Sequence, residues 1–270
     1  MKRLKTIATV LLAVICLGTA AFFGYKIIHQ QLEYKEGDDA YERLIDLAEE
    51  GDPDKDPDSP ESTCDESDTG SEVSGGDGES AENVPEIDFD ALGEISGNMK
   101  AWLYLPDTVI NYPVAQGEDN SYYLYHLADG TYNQNGCLFM DHKNSSDFTD
   151  DNTVIYGHHM RSESMFASLV KYRDQAYYEE HPNFYLVTRT AKYRLEIFSA
   201  YTTTRDSDAY TLKFATEKEK AAWLDKILEK SDISTDTDVR VKDRIVTLST
   251  CAYSFHDARY VAHGKLVPIR

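Results

Sequence analysis

The stretch Arg244-Ile245-Val246-Thr247-Leu248-Ser249-Thr250-Cys251 is a run of aliphatic and β-branched residues that ends in a cysteine. Such residues favour extended, buried backbone, so we predict a core strand over residues 244–249. A cysteine just beyond a strand is held by a rigid element, which suits a nucleophile better than a place on a loop. The stretch therefore indicates a β-rich core and a candidate catalytic thiol at Cys251.

Two further features supply the groups that a thiol nucleophile needs. The run Val154-Ile155-Tyr156-Gly157-His158 places a histidine at the end of a second predicted strand, and Arg259 follows Cys251 by eight residues. A histidine carries protons and an arginine binds an oxyanion, so the set suits acyl transfer through a thioester. The neighbouring His159 competes for the proton-carrying role, but in an extended strand the two imidazoles would point to opposite faces.

Short strands separated by turn residues continue from residue 88 onward. Several short strands of this kind are typical of a closed or nearly closed barrel. Two helical segments interrupt them: one begins at Met165, and the other covers residues 216–230, where Thr216 and Glu219 have the spacing of a capping box. The predicted strands cover residues 101–105, 112–114, 137–141, 153–156, 184–188, 193–201, 244–249 and 260–267.

The first residues of the chain have the pattern of a membrane anchor. After Lys5, the next charged residue is Lys26. About 20 apolar residues suffice to cross a bilayer as a helix, and the basic tail of residues 1–5 favours a cytoplasmic N-terminus. We therefore predict a single-pass signal anchor at residues 6–28, in contact with the lipid bilayer and with the catalytic domain outside the cell. A cleaved signal peptide is the alternative, because Gly18-Thr19-Ala20 supplies small residues near a potential cleavage point.

A helix is predicted directly after the anchor. Tyr34, Tyr41 and Leu44 form part of an apolar stripe at helical spacing, which predicts a juxtamembrane helix over residues 29–50. A long polar segment separates this helix from the first strand. We therefore expect the helix to be independent of the barrel, so that a shortened chain starting near Val84 keeps the melting temperature of the longer one.

The polar segment after this helix is strongly acidic. Sixteen acidic residues and one lysine lie between Glu50 and Asp90, and they account for most of the formal net charge of −21. Few of its side chains could enter a core, so we predict a disordered linker over residues 51–86 and a folded catalytic domain over residues 87–270. Binding of calcium or of a cationic wall is the alternative, but the acids lack the spacing of a calcium loop. The overall acidity argues against a nucleic-acid partner.

The four cysteines agree with catalysis better than with disulfide stapling. Cys16 lies in the apolar span and Cys64 in the linker, so only Cys137 and Cys251 share the folded domain. Cys137 lies in an apolar run and is predicted to be a small core residue. No cysteine pair has the short spacing of a zinc knuckle and no His-Glu-x-x-His motif occurs, so we predict neither a metal nor a cofactor.

Six stretches, taken in chain order, resemble the sortase family and, within it, class B. The specific part of the likeness is Tyr156-Gly157-His158 together with Leu248-Ser249-Thr250-Cys251 and the arginine that follows, and the whole resemblance spans roughly residues 88–270. The long helix before the cysteine strand also resembles the class B insertion. The acidic linker departs from the family, because class B members pass from the anchor through N-terminal helices into the barrel. The other stretches are Ala101-Trp102-Leu103-Tyr104-Leu105, Ile110-Asn111-Tyr112-Pro113-Val114-Ala115-Gln116, Gly136-Cys137-Leu138-Phe139-Met140-Asp141 and Met165-Phe166.

The resemblance implies an eight-stranded sortase-type β-barrel and a membrane-anchored cysteine transpeptidase of Gram-positive cell surfaces. Such an enzyme cleaves a C-terminal sorting signal of secreted proteins, holds the acyl group as a thioester, and passes it to an amine of a peptidoglycan precursor or a pilin. In this assignment Cys251 is the nucleophile, His158 the general acid and base, and Arg259 the stabiliser of the oxyanion. Ser249 and Thr250 are candidates for substrate contact.

Two other functions would use the same residues. A cysteine peptidase would transfer the acyl group to water, and an inactive surface binding module would keep the fold without the reaction. The intact set of cysteine, histidine and arginine argues against the inactive module. The residues between Ser199 and Leu212 are expected to shape the choice of sorting signal, although the sequence does not specify which signal that is.

Overall fold

A computed structural model describes residues 2–49, 84–252, 254 and 256–269 of the chain. Within these ranges the chain forms eight strands, four α-helices and three 3-10 segments. The strands are β1 (Met99–Tyr104), β2 (Asn111–Ala115), β3 (Leu138–Met140), β4 (Asn152–Tyr156), β5 (Asn183–Thr188), β6 (Lys192–Thr204), β7 (Ile245–Cys251) and β8 (Ala258–Ile269). The helices are α1 (Lys2–Glu49), α2 (Phe89–Ile95), α3 (Gln175–Glu180) and α4 (Glu217–Glu229), and the 3-10 segments are Tyr122–Leu124, Ala167–Arg173 and Asp208–Tyr210.

The eight strands close into a barrel in the order β1-β2-β3-β4-β7-β8-β6-β5. The β2–β3 and β4–β7 neighbours are parallel, and the other pairs are antiparallel. The predicted eight-stranded barrel is therefore confirmed. The largest difference is length: β6 and β8 run for 13 and 12 residues, because they pair with each other along almost their whole extent.

Strand alternation gives β7 two differently buried faces. Val246 and Leu248 belong to the main core inside the barrel, whereas Ile245 belongs to a second, smaller core outside it. This second core forms where α4 covers the outer face of β6, β7 and β8. Its helical contribution consists of Trp223, Leu224 and Ile227. The outer face of β7 also carries Thr247, Ser249 and Cys251, so the candidate nucleophile lies on the side covered by the β6–β7 insertion.

The two helical segments predicted inside the barrel sequence differ in outcome. In α4, the Thr216 hydroxyl oxygen accepts a hydrogen bond from the Glu219 amide at 3.2 Å, as a capping residue does. The segment predicted to begin at Met165 is instead a 3-10 helix over Ala167–Arg173. Met165 has a φ of 55°, a left-handed conformation through which a right-handed helix cannot run.

The C-terminal part of α1 packs on the barrel. Ala40, Tyr41, Leu44 and Ala48 are buried there, and the Tyr41 hydroxyl donates to the Gly136 carbonyl at 2.6 Å. The expectation that this helix is independent of the barrel is therefore wrong. Local sequence patterns do not predict this docking, because the contacts join residues that lie far apart in the sequence.

Two asparagine side chains of the loop before β3 bind the backbone of α1. Asn133 Nδ2 donates to the Glu33 carbonyl at 3.0 Å, and Asn135 Nδ2 donates to the Tyr34 carbonyl at 3.2 Å. Gly37 makes this approach possible, since a Cβ at that position would lie 2.2 Å from Asn135 Nδ2. The helix is thus fastened by polar contacts as well as by its apolar stripe.

No helix in the described part of the chain is both long enough and apolar enough to cross a membrane. The anchor predicted for residues 6–28 is therefore not supported. These residues belong to one helix, α1, that continues without a break into the part docked on the barrel. Residues 51–83 of the predicted acidic linker lie outside the described residues.

Candidate active site

Cys251 and Arg259 face each other at one end of the barrel. Cys251 is the last residue of β7, and Arg259 is its partner across the antiparallel pairing with β8. Directly opposed residues have Cβ atoms about 4.5–5.5 Å apart, so a long arginine side chain reaches the space around the thiol. Both residues are half-buried, which leaves the pair open to an incoming molecule.

The parallel pairing of β4 with β7 brings the two histidines to the same end. Tyr156 is aligned with Ser249, and the Gly157 amide donates to the Ser249 carbonyl at 3.0 Å. Parallel strands end at the same edge of a sheet, so the residues after Tyr156 lie beside the end of β7. Cys251, Arg259 and the turn that carries His158 thus lie at the same end of the barrel.

Close packing explains the glycine between Tyr156 and the histidines. A Cβ on Gly157 would lie 2.4 Å from Leu138 Cδ2 and 2.6 Å from Phe166 Cδ2. The Phe166 amide donates to the His158 carbonyl at 3.0 Å, which holds the aromatic ring over the turn. Any larger residue at position 157 would push this ring away and move the backbone of His158.

A backbone carbonyl orients the His158 imidazole. His158 Nε2 lies 2.8 Å from the Leu124 carbonyl oxygen, in the 3-10 segment Tyr122–Leu124. A carbonyl only accepts hydrogen bonds, so Nε2 carries a proton and donates it. Nδ1 is then the nitrogen that can exchange a proton while this bond is kept.

His159 does not point away from the cysteine. Its Nδ1 donates to the Cys251 carbonyl oxygen at 3.0 Å. The expected opposite orientation of the two imidazoles assumed an extended strand through residue 159, but β4 ends at Tyr156, so strand alternation does not set the direction of His159. His159 therefore contacts the backbone of the nucleophile, while His158 is held by the segment around Leu124.

The turn between β7 and β8 is supported by a second arginine that sequence reasoning missed. Arg173 Nη2 donates to Ser254 Oγ at 2.8 Å and to Thr202 Oγ1 at 3.0 Å. Arg259 itself donates from Nη1 to the Ala258 carbonyl at 3.0 Å. Asp257, the nearest carboxylate to Arg259 along the chain, lies 3.1 Å from His256 instead.

Ser249 and Thr250 lie on opposite faces of β7. Ser249 shares the outer face with Cys251, and its Oγ is 2.9 Å from the hydroxyl of Tyr210. Thr250 is buried and aligned with Tyr260, on the barrel side of the strand. Of the two predicted substrate-contact residues, only Ser249 is therefore on the same face as the thiol.

Tyr210 is the functional candidate that sequence reasoning did not single out. Arg259 and Cys251 are close enough to influence its phenol electrostatically, although burial is the main reason that its pKa is raised. The ring is also stacked at 6.1 Å on Tyr156. It lies in the region between Ser199 and Leu212 for which a role in specificity is predicted, but no local pattern marks it.

The other cysteine of the folded part has a structural position. Cys137 is buried in the main core, as predicted, and burial raises the pKa of its thiol well above the usual value. No group of three or more His, Cys, Asp or Glu side chains that could hold a metal ion occurs among the residues described by the structure.

Comparison with known proteins identifies related sequences and structures. A family model described as the sortase domain matches residues 103–267. Sortase B of Listeria monocytogenes is 38% identical over 178 residues, which cover 65% of this chain and 72% of the relative. Sortase B of Staphylococcus aureus is 33% identical over 271 residues, which cover 100% of this chain and 99% of the relative. The crystal structure of sortase B from Bacillus anthracis in complex with AAEK1 matches with a TM-score of 0.70 and 34% identity, covering 88% of this chain and 99% of that one.

Proposed function

Because the chain belongs to the sortase family of cysteine transpeptidases, and within it to class B, we propose that it acts on a C-terminal sorting signal of secreted proteins. The acyl group of the cleaved signal is passed to an amine of a peptidoglycan precursor or a pilin at the surface of a Gram-positive cell. The observation that carries this proposal is the cross-strand pairing of Cys251 with Arg259 beside the His158 turn.

In the first half of the proposed reaction, Cys251 Sγ attacks the carbonyl carbon of the scissile peptide bond as a thiolate. The carbonyl oxygen gains negative charge, which the guanidinium of Arg259 stabilises across the β7–β8 pair. His158 then gives a proton to the departing nitrogen, so that the carbon–nitrogen bond breaks and a thioester remains on Cys251.

In the second half, an acceptor amine attacks the thioester. His158 removes a proton from the attacking nitrogen, the carbon–sulfur bond breaks, and the thiolate is restored. The hydrogen bond to the Leu124 carbonyl supports this role, because it fixes the imidazole ring while Nδ1 exchanges the proton. A sortase B structure is known in complex with triglycine, and an oligoglycine amine is the acceptor class proposed for this chain.

The sorting peptide is proposed to lie on the outer face of the barrel that carries the thiol. Tyr156, Ser249 and Tyr210 form this face around Cys251, and the Ser249 and Tyr210 hydroxyls are 2.9 Å apart. Aromatic rings and paired hydroxyls suit a peptide with small polar side chains next to the scissile bond. Staphylococcus aureus sortase B is known in a complex with substrate, which supports an assay with a class B signal peptide.

Mass spectrometry of one peptide reaction tests the proposal. The protein is incubated with an Asn-Pro-Gln-Thr-Asn-type or a Leu-Pro-x-Thr-Gly-type peptide, with and without triglycine. We expect a ligated product with triglycine, and no product of any kind from Cys251→Ala. Cys137→Ala is the matched control, and it should keep most of the activity because that thiol is buried away from the site.

The same reaction separates the alternatives. Cleaved peptide without ligation, even at high triglycine concentration, would indicate a cysteine peptidase. Binding of the peptide without cleavage would indicate an inactive binding module. Product formation by Cys251→Ala would refute the assignment of the nucleophile.

A further inference from the structure

One buried side chain forms hydrogen bonds with the backbone on both sides of Tyr210. Asn152, in β4, is fully buried, and its Nδ2 donates to the carbonyls of Ala209 and Thr211 at 3.2 and 3.0 Å. The Asn152 backbone amide also donates to the Leu212 carbonyl at 3.1 Å. The two residues that flank Tyr210 are therefore fixed by a single amide group.

The amide of Asn152 belongs to a chain of hydrogen bonds that crosses four strands. Its Oδ1 accepts from Thr247 Oγ1 at 2.7 Å, and the same hydroxyl lies 2.9 Å from His263 Nδ1. On the other side of the imidazole, His263 Nε2 lies 3.2 Å from the Tyr201 hydroxyl. The chain connects β6, β8, β7 and β4, and it ends at the Tyr210 segment.

The direction of every bond in this chain is determined by the groups at its end. The carbonyls of Ala209 and Thr211 can only accept, so the Asn152 side chain must present its NH2 group to them and its oxygen to Thr247. Thr247 uses its single proton on that oxygen and must accept from His263 Nδ1. His263 therefore carries its proton on Nδ1, and its Nε2 accepts from the Tyr201 hydroxyl.

Burial preserves the donor and acceptor directions of these hydrogen bonds. Asn152, Thr247 and His263 are 0% exposed, so no bulk water competes for their polar atoms. Burial also lowers the pKa of His263 to about 3, which leaves the imidazole neutral with one donor and one acceptor. In this neutral form the proton stays on Nδ1, and Nε2 accepts from the Tyr201 hydroxyl.

We propose that Asn152, oriented by Thr247 and His263, is a positioning residue that fixes Tyr210 beside Cys251 and Arg259. The inference rests on the proposed function, because it assigns Tyr210 to the peptide-binding face of the same site. Asn152 touches neither the thiol nor a substrate, and it acts only through the backbone on either side of Tyr210. Its loss should therefore resemble the loss of Tyr210 itself.

A double-mutant cycle tests whether the two residues act as one unit. Asn152→Asp keeps the shape but cannot donate to the two carbonyls, and Tyr210→Ala removes the positioned ring. We expect each single variant to lower kcat/KM for the sorting peptide by on the order of tenfold or more, and the double variant to be within about twofold of Tyr210→Ala. Losses that multiply in the double variant, or a Tyr210→Ala enzyme with normal kcat/KM, would overturn the proposal.

A second pair of variants covers the case in which Asn152→Asp does not fold. Thr247→Val removes the hydroxyl from the chain at constant shape, and Thr247→Ser keeps it. We expect the valine variant to lose activity as Asn152→Asp does and the serine variant to recover it. Equal activity of the two variants would refute the proposed role of this chain of hydrogen bonds. Asn135→Ala, at another buried asparagine whose side chain bonds to the Tyr34 carbonyl of α1 and not to the Tyr210 segment, is the control for a general loss of stability.

The wild-type reaction distinguishes failure of this inference from failure of the proposed function. If wild type does not turn over any sorting peptide, the alkylation rate of Cys251 by iodoacetamide replaces kcat/KM in the double-mutant cycle. Mass spectrometry of the digested protein identifies the Cys251 peptide and measures this rate. That rate depends on the surroundings of the thiol and needs no transpeptidation. The positioning role is supported if Asn152→Asp alone changes the alkylation rate but adding Asn152→Asp to Tyr210→Ala does not change it further. If Asn152→Asp alone leaves the rate unchanged, the proposal is overturned.

Discussion

Replacing Gly37 by alanine should destabilise the protein, although the same change at Gly24 should not. Both glycines lie inside α1, where alanine is favoured over glycine by about 1 kcal/mol. At Gly24 a new Cβ would meet nothing within 4 Å. At Gly37 it would lie 2.2 Å from Asn135 Nδ2 and 3.1 Å from Asn135 Cγ, so the buried asparagine must move.

The magnitude follows from what Asn135 loses when it moves. Its bond to the Tyr34 carbonyl is broken inside a buried contact, which costs about 1–3 kcal/mol, and overpacking adds about 1–3 kcal/mol. After the gain in helix propensity of about 1 kcal/mol, Gly37→Ala should lower the free energy of unfolding by roughly 1–5 kcal/mol. For a domain of this size the midpoint of thermal unfolding should fall by roughly 2–4 °C for each kcal/mol lost.

Thermal and denaturant unfolding of the full chain measure both variants. We expect Gly24→Ala to be as stable as wild type or slightly more stable. A third variant, Asn135→Ser in the Gly37→Ala background, removes the clashing amide and should cost much less than Asn135→Ser alone. If Gly37→Ala matches Gly24→Ala in stability, the docking of α1 on Asn135 is refuted.

Three further predictions concern the candidate site. Arg259→Lys keeps the charge but loses the planar fork, and it should lower kcat/KM by on the order of 10²-fold in a fluorogenic peptide assay. Full activity of this variant would refute the oxyanion role. His158→Ala should lower turnover by roughly 10²–10⁴-fold or more, whereas His159→Ala, which removes one hydrogen bond to the Cys251 carbonyl, should lower it by about tenfold. A larger loss for His159→Ala than for His158→Ala would exchange the roles of the two histidines. Because burial raises the pKa of Cys137, its thiol stays protonated at pH 8, so iodoacetamide should label Cys251 before Cys137; prior labelling of Cys137 would contradict this.

The strands and the common location of Cys251, Arg259 and the His158 turn were predictable from the sequence because their signals are local. β7 and β4 are short apolar runs that end in Cys251 and in the turn at His158, and the parallel pairing of these strands brings the two ends together. Arg259 follows after a turn short enough for β8 to pair directly with β7. The strand predictions needed only strand period and order along the chain, whereas the roles of Cys251, His158 and Arg259 also rested on the resemblance to the sortase family.

The remaining features depend on contacts between distant residues. The docking of α1 requires Asn133 and Asn135 to reach carbonyls about a hundred positions earlier in the chain. The orientation of His159 depends on β4 ending at Tyr156, a boundary that apolar patterning does not define to one residue. The carbonyls on either side of Tyr210 accept hydrogen bonds from the Asn152 side chain, and nothing near Tyr210 in the sequence predicts these contacts.

The position of β8 has a consequence for how the molecule is assembled. β8 follows all the other described strands in the chain, yet it lies between β6 and β7 and pairs with both. A chain made from its N-terminus therefore keeps two open sheet edges until β8 is available, and such edges promote association with other chains. Closure also depends on pairings between residues far apart in sequence, which slows folding. Since Arg259 lies on this strand, Cys251 acquires its cationic neighbour only when the barrel closes.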